Sequence, residues 1–326
     1  MAHSSTSPIA SSGSNRIYSR EVDASGQTVI KTVGTSRREN HAFITLARHF
    51  ESVHLPVPHV LWVSEDEMSY RQTDLGSVCL FDLLPCNQPD VTYDSPALLS
   101  ILDKTIRSLA HFQILGARQC PWQVCYPVPV FDRRSVFWDL NYYKYCYLKV
   151  KGCEINEPRL EDEFEKLCAV LLEEDSVLSA AFMLRDCQSR NIMVLQGEPY
   201  FIDFQGGRKG PVYYDVASFL WQARARYPQY LRDALISAYY DELLTIVSPH
   251  VLLPLEAFKE RLNLFVFFRQ LQVLGAYGFR GVIERKEHFI KSLPLAEQNL
   301  KEFLAVNQGI AQSYPYITSL SNQNGL

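Results

Sequence analysis

An aspartate at position 186, an asparagine at 191 and a second aspartate at 203 constrain this chain more than any other feature. The segment from Phe182 to Trp221 reads FMLRDCQSRNIMVLQGEPYFIDFQGGRKGPVYYDVASFLW. Phe182-Met183-Leu184 is a buried-looking run that delivers Arg185 and Asp186 to a loop. Ile192–Leu195 and Tyr200–Ile202 read as short strands with Gln196-Gly197-Glu198-Pro199 turning between them, and Asp203 leaves the second strand at its end. Asp and Asn also favour ordinary turns. Here, however, residue type, spacing and the intervening hairpin agree with the pattern RDxxxxN followed by DF, which serves phosphoryl transfer. That chemistry needs one carboxylate near the attacking hydroxyl and two oxygen-bearing side chains that hold a metal ion on the nucleotide phosphates.

Asp186 then orients the acceptor hydroxyl and takes its proton late, since a carboxylate of ordinary pKa, about 3.9, is a weak base. Asn191 and Asp203 become ligands for Mg²⁺. Arg190 is either a clamp on the transferred group or the partner of a surface acid. The basic, glycine-rich segment Gly206 to Pro211 carries Arg208 toward phosphate or substrate. Asp215, ahead of Val216-Ala217-Ser218-Phe219-Leu220, reads as structural, and Cys187 either as incidental or as a thiol that makes activity oxidation-sensitive.

Composition removes several other classes. The net charge of −4 leaves no basic field to make nucleic acid a default partner. Eight cysteines without a CxxC pair, and without a secretory signal, read as reduced thiols of a cytoplasmic protein. Eight scattered histidines with no HExxH argue against a zinc site. Apolar runs such as Leu264 to Phe268 are far short of a bilayer span.

The chain divides into a small nucleotide-gripping lobe, 1–75, and a helical lobe with the catalytic loop and substrate pocket, 76–326. Residues 1–7 read as a disordered tail. Ser12, Gly13, Ser14 and Asn15 then form a loop of small residues ahead of a strand-like Arg16 to Arg20, where backbone N–H groups approach phosphates closely, although the same stretch also passes for more of the tail. On the strand Gln27 to Val33, Lys31 shares a face with Val29 and Val33. It is either a snorkelling edge residue or a buried cation awaiting a phosphate or carboxylate. Glu39 lies on the inward face of the helix Ser36 to Ser52, with Phe43, Leu46, Ala47 and Phe50. An inward strand lysine and helix glutamate form the grip of a kinase small lobe, and the pattern equally allows two solvated charges. Strands Val60 to Ser64 and Met68 to Thr73 follow, and the backbone of Gln72, Thr73 and Asp74 is placed to meet an adenine edge. Ser77 to Leu84 reads as helical beyond the break at Gly76.

Helices are expected over Pro96 to Leu115, Phe131 to Val150, Glu157 to Glu174, Pro228 to Val247, Glu256 to Tyr277 and Leu295 to Val306. Within Phe131 to Val150, Asp139 and Tyr143 lie among aromatics that either pack a core or line a pocket for a polyhydroxylated substrate.

LRDCQSRNIMV, FIDFQGGRKGPVYYDVASFL and RQLQVLGAYGFRG resemble the aminoglycoside phosphotransferase and choline kinase superfamily. Within it they are most similar to the bacterial amino-sugar anomeric kinases, which phosphorylate N-acetylmuramate and N-acetylglucosamine. The resemblance runs from about Ile9 to about Phe303 and is looser in the small lobe. It implies an α+β, protein-kinase-like two-lobed fold, with a small antiparallel β lobe bearing one helix and a larger, mainly helical lobe. It also implies ATP with Mg²⁺, Asp186 as base, Asn191 and Asp203 as metal ligands, and Asp139 and the region Arg269 to Arg280 facing substrate. The usual His before Arg-Asp is Leu184 here.

The expectation is therefore a cytoplasmic kinase, a monomer or weak homodimer, that phosphorylates a hydroxyl of a sugar or amino sugar. It has neither nucleic acid nor membrane as partner. The alternatives are a kinase for another small alcohol of aminoglycoside or choline type, or a catalytically weak nucleotide-binding regulator.

Overall fold

The structure is a computed structural model that describes residues 7–9, 16–173 and 177–323. It separates into two compact units: Met1–Val130 with Ala181–Lys209 and Asp241–Ile246, and Phe131–Ala180 with Gly210–Tyr240 and Val247–Leu326.

In the first unit, five strands among the described residues make one antiparallel sheet in the order β1-β2-β3-β5-β4: β1 (Ser7–Ile9), β2 (Ile17–Val22), β3 (Thr28–Val33), β4 (Val60–Val63) and β5 (Ser69–Thr73). Ser7, expected in a tail, opens β1 and pairs with Arg20. The β2–β3 turn is set by Asp23, whose Oδ1 accepts from the backbone N–H groups of Ser25 (2.8 Å) and Gln27 (3.0 Å).

One helix, α1 (Arg37–Ser52), crosses between β3 and β4 in the chain. Ser36 caps it by accepting from the Glu39 N–H, and Phe43, Leu46, Ala47 and Phe50 form the buried stripe that the spacing predicts. Asn40, fully buried, donates to the carbonyls of Glu67 (2.8 Å) and Met68 (3.1 Å) and so fastens α1 to the entry of β5. Gly34 makes this possible, because a Cβ there would lie 2.2 Å from Asn40 Oδ1.

The rest of this unit comprises α2 (Pro96–Ala117), β6 (Ala181–Met183), the hairpin β7 (Ile192–Leu195) and β8 (Glu198–Phe201), and β9 (Arg208–Gly210), which pairs with β6. The hairpin stands as expected, its second strand beginning two residues earlier. Ser77 to Leu84, expected as helix, holds only a 3-10 turn at Leu80–Leu83. Its interior is a run of aromatic rings. Phe43 stacks on Tyr70 (4.9 Å) and on Phe204 (4.8 Å), while Phe50 meets Phe112, Phe182 and Phe204 at 4.6, 4.8 and 5.1 Å. Offset and edge-on pairs of this kind add about 0.5–1.5 kcal/mol each beyond the area they bury.

The second unit is helical. Its members are α3 (Arg133–Tyr142), α4 (Glu157–Leu171), α5 (Tyr213–Leu220), the larger part of α6 (Gln229–Ile246), α7 (Leu255–Tyr277), α8 (Glu287–Val306), α9 (Gln308–Ser313) and α10 (Pro315–Ser321). The helix expected over Phe131 to Val150 is capped by Asp132 and widens after Tyr142 into a π turn, Tyr143–Leu148. Two glycines of the opposing segment let the backbones touch there: a Cβ on Gly275 would meet Tyr143 N at 2.5 Å, and one on Gly278 would meet Cys146 O at 2.0 Å. Helix α8 starts eight residues before the expected Leu295 and runs through Pro294, giving up one backbone hydrogen bond. Helix α7 begins one residue before the expected Glu256 and is buried on more than one face, with Leu262, the run Phe265 to Phe268 and Leu271 all inside. Among the described residues no helix is long and apolar enough to cross a membrane.

Candidate active site

Strand β6 ends at Met183, and Leu184, buried, carries the chain into Arg185, whose φ of 73° is left-handed. Such a conformation costs a non-glycine residue energy and is kept where the surroundings fix it. Asp186 follows. Its two carboxylate oxygens each accept from Gln188 Nε2 at 2.8 Å. Asn191 Nδ2 donates to the Asp186 carbonyl (3.0 Å) and to its Oδ2 (3.2 Å), while Asn191 O accepts from Ile202 N (3.0 Å). The loop is thereby tied to the segment that delivers Asp203. With its amide nitrogen spent on Asp186, Asn191 can meet a cation through its carbonyl oxygen.

Asp203 is also left-handed, with φ of 62°. Phe204, the next residue, lies between Phe43 and Phe50 of α1 and fixes the aspartate's position. Gln205 Nε2 donates to Asp203 Oδ1 at 2.7 Å. The Asp203 carboxyl is pushed above the usual range, chiefly by burial. The Gln205 bond and Arg16 oppose this, and the negative charges of Asp186 and Glu39 add to it. The side chain still keeps 37% of its surface open to solvent. Two acids held near one another, one of them reluctant to ionise, are a place where a divalent cation is welcome.

Lys31 and Glu39 have different partners. Lys31 Nζ lies 3.5 Å from Glu21 Oε1, on a sheet face where Arg71 also reaches Glu21 at 3.3 Å. Glu39 is met instead by Arg16, Nη2 to Oε1 at 2.9 Å, and Arg16 Nη1 stands 3.8 Å from Asp203 Oδ1. Burial works against the charge on Arg16, but Tyr70, Tyr18 and Glu39 outweigh it, and its pKa is raised. Ser12, Gly13, Ser14 and Asn15 lie outside the described residues. Gln72 and Thr73 belong to β5, with Thr73 N–H given to His59 O (3.0 Å). The Asp74 carboxylate is taken by Arg20 (Nε to Oδ2 2.5 Å, Nη2 to Oδ1 3.0 Å) and by Gly76 N (3.0 Å), so backbone groups are what Asp74 has to offer a base.

Arg190 stacks over the Phe81 ring, 4.1 Å from its centre. Arg208, on β9 and 5% exposed, donates from Nη2 to Gly206 O (3.2 Å). Asp139, Tyr143 and Arg269 all belong to the second unit. Asp139 is buried on α3, and Tyr143 is fully buried with its ring stacked on Tyr147 at 5.6 Å. Arg269 donates to Ser218 Oγ (3.2 Å) and to Gln272 Oε1, with its guanidinium over the Tyr214 ring.

The sequence profile of the phosphotransferase enzyme family matches residues 5–247. The chain belongs to that family. Like its relatives in the phosphotransferase family it is a small-molecule kinase. The chain is 23% identical to the N-acetylmuramate/N-acetylglucosamine kinase of Pseudomonas aeruginosa over 316 residues, 96% of this chain and 88% of that protein. Choline kinase from Cryptosporidium parvum superposes with a TM-score of 0.63 at 12% identity, covering 98% of this chain and 94% of that one. An amicoumacin kinase solved with AMP-PNP and Ca²⁺ superposes with a TM-score of 0.60 at 11% identity, covering 91% and 88%. The likeness to these structures shows a shared protein-kinase-like α+β fold.

The oxygen donors of this phosphotransferase suit a hard cation such as Mg²⁺, which takes one or two protein groups and completes its shell with phosphates and water. Among the described residues no three His, Cys, Asp or Glu side chains gather as a metal cage.

Three residues of the site escaped the sequence reading. Gln188 and Gln205 had a signal, since each stands two positions after a site aspartate, in DCQ and DFQ. Arg16 had only its place at the head of a strand.

Proposed function

We propose that the chain transfers the terminal phosphoryl group of ATP, in the presence of Mg²⁺, to a hydroxyl of a sugar or amino sugar of the N-acetylmuramate or N-acetylglucosamine kind. The observation that carries this is the hydrogen bonding of Asn191 to Asp186 and, through Ile202 N, to the strand end that delivers Asp203. Asp186 orients the acceptor hydroxyl and accepts its proton as the bond to phosphorus forms, while Gln188 steadies both of its oxygens. Asn191 and Asp203 hold Mg²⁺, which when bound neutralises charge on the phosphates. Arg190 and Arg208 supply positive charge near the loop, and Asp139, Tyr143 and Arg269 belong to the substrate region of the helical lobe, 76–326, against a nucleotide lobe at 1–75. The amino-sugar acceptor is favoured by the Pseudomonas relative, whose similarity spans nearly the whole chain. The AMP-PNP complex of a fold relative supports a nucleoside triphosphate as donor.

A choline kinase and an amicoumacin kinase with the same fold support a second reading, a different small alcohol as acceptor. We place the protein in the cytoplasm, where ATP and reduced thiols coexist, as a monomer or weak homodimer. Release of ADP is measured with N-acetylmuramate, N-acetylglucosamine, other hexoses, aminoglycosides and choline. Turnover highest with an amino sugar is expected, and turnover confined to aminoglycosides or choline overturns the acceptor. Asp186→Ala is expected to abolish transfer while Mg-ATP still binds; parent-like turnover by this variant sinks the mechanism.

A further inference from the structure

We propose that Arg16, not Lys31, is the cation that grips the nucleotide's phosphates. The assignment rests on the kinase reading and deepens its nucleotide site. A phosphate-gripping cation in this fold class must satisfy two conditions: it is held by the helix glutamate and it stands beside the metal-binding aspartate. Arg16 meets both, at 2.9 Å from Glu39 and 3.8 Å from Asp203. Lys31 meets neither. Its amine sits with Glu21 on a face where the side chain is 34% exposed, whereas the side chain of Arg16 is 3% exposed.

The burial is informative. A charge withdrawn from water is costly unless paired, so a buried guanidinium in this place is held there by its neighbours, Glu39 and Tyr18 among them. The planar fork has five donors and can serve a carboxylate with one edge and phosphate oxygens with another, which a lysine ammonium does less well. The 3.8 Å separation from Asp203 is beyond a hydrogen bond but places Nη1 beside the carboxylate proposed to hold the metal ion. Its two partners are themselves fixed. Glu39 is in the first turn of a helix capped by Ser36 and pinned through Asn40, and the Asp203 loop is wedged against the same helix by Phe204. The gripping cation thus sits not in the middle of β3 but at the residue just before β2.

The test uses the full chain and measures affinity for Mg-ATP and for adenosine, with thermal melting to verify folding. Arg16→Ala is expected to weaken Mg-ATP binding at least about tenfold while adenosine binding stays within about twofold, since a charge-assisted bond to phosphate is lost and no bond to the base is. Lys31→Ala is expected to stay within about twofold for both ligands. If Arg16→Ala does not fold, Arg16→Gln, which keeps a donor for Glu39 but no charge, carries the same expectation. Equal weakening of ATP and adenosine, unchanged ATP affinity, or a loss in Lys31→Ala matching that of the Arg16 variant overturns the assignment alone. A parent protein that binds neither ATP nor ADP overturns the kinase reading and this assignment with it.

Discussion

Gln188 Nε2 donates to both carboxylate oxygens of Asp186, at 2.8 Å each. A symmetric amide donor keeps the carboxylate plane from turning and so preserves the approach of an acceptor hydroxyl. Gln188→Ala is expected to lower kcat about tenfold to a hundredfold with Mg-ATP affinity unchanged, the size of effect that misplacing a reacting group produces. Steady-state kinetics beside nucleotide titration check it. A changed ATP affinity with kcat intact would place Gln188 in nucleotide binding instead.

Acid stability should depend on Glu242. Its carboxyl is held below the usual range: burial pushes it up, but bonds from His111 (2.7 Å) and Arg107 (3.1 Å) pull it further down. A carboxyl that is more acidic when folded binds its proton more readily in the unfolded chain. The stabilisation is therefore present above the unfolded value, about 4.3, and lost as pH falls through the folded one. Glu242→Gln is expected to cost about 1–2 kcal/mol at pH 7 and almost nothing near pH 3. Urea unfolding of both proteins at the two pH values reads this directly, and a pH-independent difference would contradict it.

Tyr143 is fully buried, burial pushes its hydroxyl well above the usual range, and among the described residues the oxygen has no hydrogen-bond partner. Removing an unsatisfied buried hydroxyl relieves a desolvation cost. Tyr143→Phe is expected to be neutral or more stable by about 1 kcal/mol. Denaturant midpoints decide; a loss of more than that would reveal a partner for the hydroxyl.

Gly275 faces the backbone of Tyr143 so closely that a methyl group would lie 2.5 Å from its nitrogen. Backbone cannot rotate away as a side chain can. Gly275→Ala is expected to destabilise the chain by about 1–3 kcal/mol, against the small gain that alanine brings an exposed helix. Thermal melting with an unchanged midpoint would show that the helices separate freely.

The hairpin and the placing of Asp186, Asn191 and Asp203 around it were legible because they are written locally. Asp186, Asn191 and Asp203 fall in one short stretch, and the hairpin between them follows from two short apolar runs broken at Gln196-Gly197. Helix α1 was equally plain from its apolar spacing. What escaped depends on pairing across distance. Strand β3 has apolar residues on both faces, so alternation alone could not tell that Thr32 is buried while Lys31 looks toward Glu21 and Arg71. The partnership of Arg16 with Glu39 joins two elements through a register that no period reveals. The π turn after Tyr142 depends on glycines more than 130 residues later in the chain.

Phe204 belongs to two structures at once, the loop of Asp203 and the ring cluster beneath the sheet. Loosening that loop would open the interior of α1, α2 and β6 together, because Phe43, Phe50, Phe112 and Phe182 share the same packing. Amide protons around Asp203 should therefore exchange at the slow pace of the sheet's centre and not at the pace of a surface loop. Loss of catalysis on heating and loss of the sheet become a single event, and an inactive form with its sheet intact has no place on the unfolding path.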